Sequence, residues 1–218
     1  MSKTPDSRRK GKRVLKKVAL IVSIVLILDQ CLKAWIKLNM FIGQEYEALG
    51  QWFLIHFTEN EGMAFGFAFG GAWGKLLLSI FRIIAVAAIG YYLLILTRSK
   101  TRKGVIFGLS LILAGALGNI IDSAVYGLLF SESTYYQVAN FLPDAGGYAG
   151  FLHGKVVDML YFPIIQATIP SWFPVWGGEP FQFFRPVFNL ADASITTGVL
   201  YLLLFERSFF KKTDPNTL

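Results

Sequence analysis

The sequence predicts an all-α membrane protein: a four-transmembrane-helix bundle with both termini cytoplasmic, an outer-face β-like extension and enlarged outer loops. Three observations predict it. Of 218 residues, 54% are hydrophobic and 16% charged, against roughly 25% charged in soluble domains, so a water-soluble fold of this size has too little polar surface to cover its apolar side chains. Apolar residues gather in four runs, each near the roughly 20 residues that a helix needs to cross ~30 Å of hydrocarbon. Fifteen of the 21 basic residues cluster at the ends of those runs, as the positive-inside rule requires.

The same inventory narrows the chemistry. The single cysteine, Cys31, allows no intrachain disulfide and leaves the redox compartment open. The histidines are His56 and His153 only, and no HExxH, CxxC, Walker or GxGxxG pattern is present. The net charge of +7 fits nucleic acid in isolation, but its concentration beside apolar runs makes membrane topology the better reading.

Taken in order, residues 1–17 form a basic cytoplasmic tail with Lys3, Arg8, Arg9, Lys10, Lys12, Arg13, Lys16 and Lys17. Residues 18–38 are the first span, interrupted by Asp29 and Lys33. This start imitates a secretory signal peptide. No small-x-small cleavage site follows, and Leu28-Asp29-Gln30 precedes Cys31 where a lipoprotein cleavage site has small residues, so the segment is read as an uncleaved span. The outer-face segment 39–72 carries Glu45, Glu47, Glu59 and Glu61 without Lys or Arg, and its 52–58 stretch is rich in β-formers and reads as a strand. Residues 73–97 are the second span, with Arg82 inside it, and 98–103 a basic cytoplasmic loop holding Arg98, Lys100, Arg102 and Lys103. The third span is 104–125. An outer-face insertion, 126–189, holds six prolines from Pro143 to Pro186 and many aromatics; Trp172-Phe173-Pro174-Val175-Trp176 reads as an interfacial aromatic belt. The fourth span is 190–210, and 211–218 is a cytoplasmic tail. There is no internal repeat.

Ionisable groups within such spans cost at least about 2.5–3.5 kcal/mol on insertion scales and mark function by default. Asp29 and Lys33 fall in the outer half of the first span, Asn119 and Asp122 near the outer end of the third, Asn189 and Asp192 at the outer start of the fourth, and Asp158 in the outer insertion. They share one layer near the outer leaflet. Asp29 and Lys33, at i and i+4, share a helix face and can pair; a helix-stabilising ion pair and direct chemistry are equal readings. Asn119 and Asp122 follow Gly115-Ala116-Leu117-Gly118, whose small residues let another helix approach. Asn189 also suits an N-cap. Two distant histidines and one cysteine make zinc unfavourable, and no spacing favours a serine–lysine dyad of Ser110, Ser123 or Ser194 with Lys33 or Lys155. Paired carboxylates are the strongest option: two close aspartates share a proton, the ionised one activates water and the protonated one polarises the carbonyl. Which two of Asp29, Asp122, Asp158 and Asp192 pair is open at this level.

Five stretches make the pattern recognisable: Asp29-Gln30-Cys31-Leu32-Lys33, residues 58–66 (TENEGMAFG), residues 115–122 (GALGNIID), Val156-Val157-Asp158, and residues 188–195 (FNLADASI). In these stretches and their order the sequence resembles the bacterial lipoprotein signal peptidases, or signal peptidase II. The resemblance implies an aspartyl endopeptidase of the inner membrane that cuts the signal peptide from prolipoproteins just before a diacylglyceryl-modified cysteine. It puts the catalytic pair on Asp158 and Asp192, and substrate-holding or dyad-supporting roles on Asp29, Lys33, Asn60, Gly62, Asn119, Asp122 and Asn189. It implies no metal, no cofactor and no nucleic-acid partner, membrane lipid and lipid-modified prolipoprotein as partners, a monomer, and an active site near the periplasmic leaflet. The chain departs from the family pattern at Ser123, where an arginine is usual, with Arg185 and Lys155 as weak replacements, and in its long stretches 123–157 and 159–188, read as insertions shaping the substrate entrance. Residues 65–69 and 126–141 are expected to close over the lipid-bearing cysteine, Gly62, Gly66 and Gly70 giving the first of these loops mobility. The alternative from another class is a small ion-coupled transporter using Asp29, Lys33, Arg82 and Asp192 as an ion path.

Overall fold

Apolar runs become helices wherever the sequence offers nothing to break them. The structure, a computed structural model, describes residues 5–61, 71–99, 101–183 and 186–210. Helix α1 spans Pro5–Asn39, α2 Gly71–Thr97 and α3 Lys103–Ile121. From α3 the chain runs through a π-helical turn, Asp122–Tyr126, into the short α4, Gly127–Leu129. Pro5 opens α1, where a missing N–H leaves no bond unmade, and the basic residues from Arg8 to Lys17 lie on this helix. Three stretches are long and apolar enough to cross a bilayer: Arg9–Asn39, Trp73–Thr97 and Lys103–Leu129. On the first two, Leu20, Ile27, Leu77, Phe81 and Ile84 are exposed, as side chains that meet lipid must be. The protein is predominantly helical, with a small sheet.

The fourth apolar helix is shorter than the sequence predicts. Helix α5, Leu190–Phe205, has 16 residues, about 24 Å at ~1.5 Å per residue against ~30 Å of hydrocarbon. Glu206 interrupts the run, and α6, Arg207–Phe210, starts anew. At this break Glu206 is buried, with Arg102 Nη1 3.5 Å from its Oε2, and the same nitrogen donates to Ser208 Oγ at 2.6 Å.

The chain divides into two compact units. The helical unit comprises the chain up to Cys31, Leu76–Ile121 and the chain from Leu190. Its apolar core gathers Val18, Leu93, Leu96, Val105, Ile106 and Leu202. Helices α3 and α5 touch backbone to backbone: a Cβ at Gly115 would fall on the Ala191 carbonyl oxygen, and one at Gly198 would lie 2.6 Å from the Gly108 oxygen. The small residues thus let main chains approach where larger side chains would hold the helices apart.

The second unit comprises Leu32–Lys75 and Asp122–Asn189. Its strands are β1 (Glu45–Leu49), β2 (Phe53–Asn60), β3 (Val156–Tyr161), β4 (Ile165–Thr168), β5 (Pro180–Phe183) and β6 (Val187–Phe188). An antiparallel four-stranded sheet has the order β1-β2-β3-β6, and β4 and β5 form a separate hairpin. The strand expected over 52–58 is β2. Under the sheet lie Ile36, Met40, Phe57, Val157 and Met159 together with Tyr126, Phe130 and Ala139. The last three correct the reading of 126–141 as a closing loop: their side chains are core, and the backbone of the stretch is tied by Ala139 N–H to Lys37 O at 3.2 Å and by Ile42 N–H to Thr134 O at 2.9 Å. The other expected closing loop, 65–69, with Gly62, Gly66 and Gly70, lies outside the described residues.

Candidate active site

Asp158 is the third residue of β3 and is buried. In the β2–β3 ladder Thr58 stands opposite Asp158 and Asn60 opposite Val156, so Asn60 is the diagonal neighbour of Asp158, within reach of a polar side chain. Its Nδ2 donates to Asp158 Oδ2. On the other side β6 pairs with β3 through Phe188 and Leu160, which brings the next residue, Asn189, alongside. Asn189 Nδ2 donates to Asp158 Oδ1 at 2.7 Å. Both oxygens are thus held by neutral amides, which orient a carboxylate without cancelling its charge.

Asp122 has a different environment. Lys33 Nζ lies 2.8 Å from its Oδ2, with both side chains fully buried. The N–H of Val157 points to the same oxygen at 3.4 Å. Asp122 opens the π-helical turn, a local widening that re-aims side chains. Strand β3 comes this close because of Gly154, whose N–H donates to Ser123 O at 2.8 Å and where a Cβ would fall on the Asp122 carbonyl oxygen.

A second buried ionic group supports the same strand pair. Lys37, fully buried, pairs with Glu59 Oε1 and donates to Ser133 Oγ at 2.8 Å. Lys155 Nζ lies 3.3 Å from Glu132 and 4.0 Å from Glu59 Oε2. Tyr148 caps the group, with Lys37 Nζ 4.9 Å from its ring centre and its hydroxyl accepting the Lys155 N–H at 2.7 Å. Burial pushes the Tyr148 hydroxyl well above its ordinary pKa, so it stays neutral.

In the helical unit, Asp192 lies half-buried in the first turn of α5, and Asn119 Nδ2 donates to its Oδ1 at 2.7 Å. Asp29 is fully buried and accepts the Ala191 N–H at 2.9 Å, satisfying a donor that the start of a helix leaves unpaired. Gln30 Nε2 bridges Asp29 Oδ2 at 3.1 Å and Gly118 O at 3.3 Å.

The structure therefore groups Asn60 and Asn189 on Asp158, Lys33 on Asp122, and Asn119 on Asp192. Lys33, one member of the i, i+4 pair with Asp29, also lies against Asp122, and Asn189, which directly precedes α5, directs its Nδ2 at Asp158. Gly62 and Arg185 lie outside the described residues. Lys155 is engaged with Glu132 and Glu59, and Ser123 is buried with its carbonyl on Gly154. Sequence reasoning missed Gln30, Lys37, Glu59 and Ser133. A signal for Lys37 was present: Asp29, Lys33 and Lys37 form one i, i+4, i+8 stripe on α1. Among the described residues, no group of three His, Cys, Asp or Glu gathers as a metal site.

The family described as Signal peptidase (SPase) II, Peptidase_A8, matches residues 21–208 of this chain. The chain belongs to the signal peptidase II family. A lipoprotein signal peptidase of Porphyromonas gingivalis (strain ATCC 33277) is 48% identical over 190 residues, covering 87% of this chain and 82% of its own. That of Amoebophilus asiaticus (strain 5a2) is 38% identical over 191 residues, covering 86% and 76%. A bacterial membrane enzyme solved by the in meso method is 26% identical with a TM-score of 0.58, covering 91% of this chain and 95% of that one. As a signal peptidase II, the chain is a multi-pass membrane protease of lipoprotein processing.

Proposed function

We propose that this signal peptidase II is an aspartic endopeptidase that removes the signal peptide from diacylglyceryl-modified prolipoproteins, cutting just before the lipidated cysteine, with Asp158 and Asp192 as its catalytic pair. The observation that carries the choice of pair is the way four aspartates are engaged. Asp122 has its charge matched by Lys33 at 2.8 Å, and Asp29 caps the start of α5 through the Ala191 N–H. Asp158 and Asp192 each accept hydrogen bonds from asparagine amides, which hold a carboxylate in a fixed orientation. Asn189, the residue that holds Asp158, also stands only three positions before Asp192 in the chain.

In this mechanism the pair shares one proton, because two close like charges do not both ionise. The ionised aspartate takes a proton from water as its oxygen attacks the scissile carbonyl carbon. The protonated aspartate gives its proton to the carbonyl oxygen, forming a tetrahedral diol. Collapse of the diol returns a proton to that aspartate, while the other transfers its proton to the departing nitrogen. No cofactor or covalent intermediate takes part.

The same reading places the enzyme as a monomer in the bacterial inner membrane, both termini cytoplasmic and the site near the periplasmic leaflet. The basic clusters at the start of α1, between α2 and α3, and after α5 support that orientation, with 190–210 crossing as α5 and α6 together. The partners are lipid-modified prolipoprotein and membrane lipid, with no metal and no nucleic acid. The test is a gel-shift assay of purified protein with the diacylglyceryl-modified precursor and with the unmodified one. Cleavage of the first alone is expected; equal cleavage of both would turn the reading to a general membrane protease.

A further inference from the structure

Between Asp158 and Asn189 the chain makes an excursion that the proposed chemistry does not use. Strands β4 and β5 form a two-stranded hairpin separate from the main sheet, and from residue 159 to residue 178 there is no Lys, Arg, Asp or Glu. Its tip is not folded inward: Trp172 is 77% exposed, Val175 72% and Trp176 59%. An apolar, charge-free projection of this kind is an aggregation site in water, so it calls for a covering partner.

Three features identify that partner. The tip is built of Trp, Phe, Pro and Val, and tryptophan combines a large apolar ring with one N–H that suits the boundary between acyl chains and headgroups. Its main chain is partly self-satisfied, which lowers the cost of leaving water: Pro170, Pro174 and Pro180 have no N–H, and the N–H groups of Ile169, Phe173, Gly178 and Glu179 donate to carbonyls within 169–179 at 2.9–3.0 Å. The aromatic surface also continues beyond the hairpin. Phe162, next to β4, stacks on Phe53 at 4.6 Å and on Phe188 at 5.7 Å, with Trp52 beside it at 6.2 Å and exposed. The paired arm, four residues in β4 at ~3.3 Å each, reaches roughly 13 Å before the turn begins, enough to pass the ~5–8 Å headgroup layer.

We infer that the 165–183 hairpin is a membrane-docking element whose tip, Trp172 to Trp176, inserts into the acyl region of the bilayer leaflet that faces the candidate active site. Within the tip, Phe173 stacks on Trp176 at 6.3 Å, and a cleft of about 650 Å³ opens among Ile169, Trp172, Phe173, Trp176 and Phe181, with Glu179 as its one charged lining residue. A lipid acyl chain matches that apolar lining. The leaflet assignment rests on the orientation proposed above; insertion itself does not.

The experiment reads position, not catalysis, so its outcome is separate from that of the peptidase reading. In a Cys31→Ser background, Val175→Cys carries a nitroxide, the protein is placed in phosphatidylethanolamine–phosphatidylglycerol vesicles, and power saturation compares collisions with oxygen and with a water-soluble nickel chelate. Tyr136→Cys, at a side chain 96% exposed, is the aqueous reference. The expected result is oxygen-favoured collision at 175 and nickel-favoured collision at 136. Adding Trp172→Asp and Trp176→Asp is expected to move the 175 label towards the aqueous value. Nickel access at 175 equal to that at 136 overturns the inference. A label shielded from both quenchers overturns it too, because that places protein, such as a second copy, over the tip.

Discussion

Lys33 and Asp122 form a fully buried ion pair at 2.8 Å, and such a pair matters most when one member is lost. Removing one partner strands the other charge at about 3–5 kcal/mol, whereas replacing both with apolar groups is often neutral. Lys33→Met is therefore expected to lower the thermal midpoint in detergent sharply, and the double variant Lys33→Met, Asp122→Leu to recover much of it; equal midpoints for the single variant and the parent would show that the pair carries no structural role. Asn119 has a different duty. Its amide on Asp192 at 2.7 Å is a hydrogen bond to a carboxylate, worth about 1.5–3 kcal/mol. If it orients the catalytic group, Asn119→Ala lowers kcat by roughly ten- to a hundredfold with KM little changed, and a loss confined to KM would move Asn119 to substrate binding. These polar residues were legible in the sequence because charge within an apolar run is costly. The Lys37–Glu59 partnership was not, since it joins α1 to β2 and the stripe that carries Lys37 does not name its partner.

At the scale of elements, α3 and α5 depend on close contact at Gly115. Gly115→Val places a branched side chain on the Ala191 carbonyl, and overpacking of this sort costs about 1–3 kcal/mol or more. Gly90, in α2, is the opposite case: a Cβ added there would meet nothing within 4 Å. Gly90→Ala thus removes a poor helix former and is expected to be neutral or to stabilise by up to ~1 kcal/mol. Thermal unfolding of the two variants in one detergent checks the contrast; similar destabilisation by both would deny that close packing is the cause. The apolar parts of α1, α2 and α3 could be read from length alone, but the basic start of α1, from Pro5, could not. The end of α5 at Phe205 could not, because the apolar run continues past Glu206 to Phe210. Strand β2 was visible in its β-formers, but its partner β3 begins 96 positions after the end of β2, and only tertiary pairing brings Asn60 to Asp158. The 126–155 stretch looked like loop because it lacks periodicity; Tyr126, Phe130 and Ala139 are core all the same.

For the whole molecule, the proposed catalytic pair came from motif resemblance, and the asparagine amides on Asp158 and Asp192 are consistent with it. A carboxylate pair needs no metal, so EDTA is expected to leave cleavage unchanged; loss of activity restored by zinc would point to a metal-activated water. The exposed Cys31 has no place in the mechanism, and Cys31→Ala is expected to cleave normally. The most direct measurement is cleavage of the diacylglyceryl-modified precursor by Asp158→Asn, Asp192→Asn and Asp122→Asn, each confirmed to be folded and inserted. The first two are expected to lose at least about a hundredfold, the lower range for general acid–base groups. Near-parental cleavage by Asp192→Asn, or full activity of Asp158→Asn beside an inactive Asp122→Asn, would contradict the assignment of Asp158 and Asp192 as the pair.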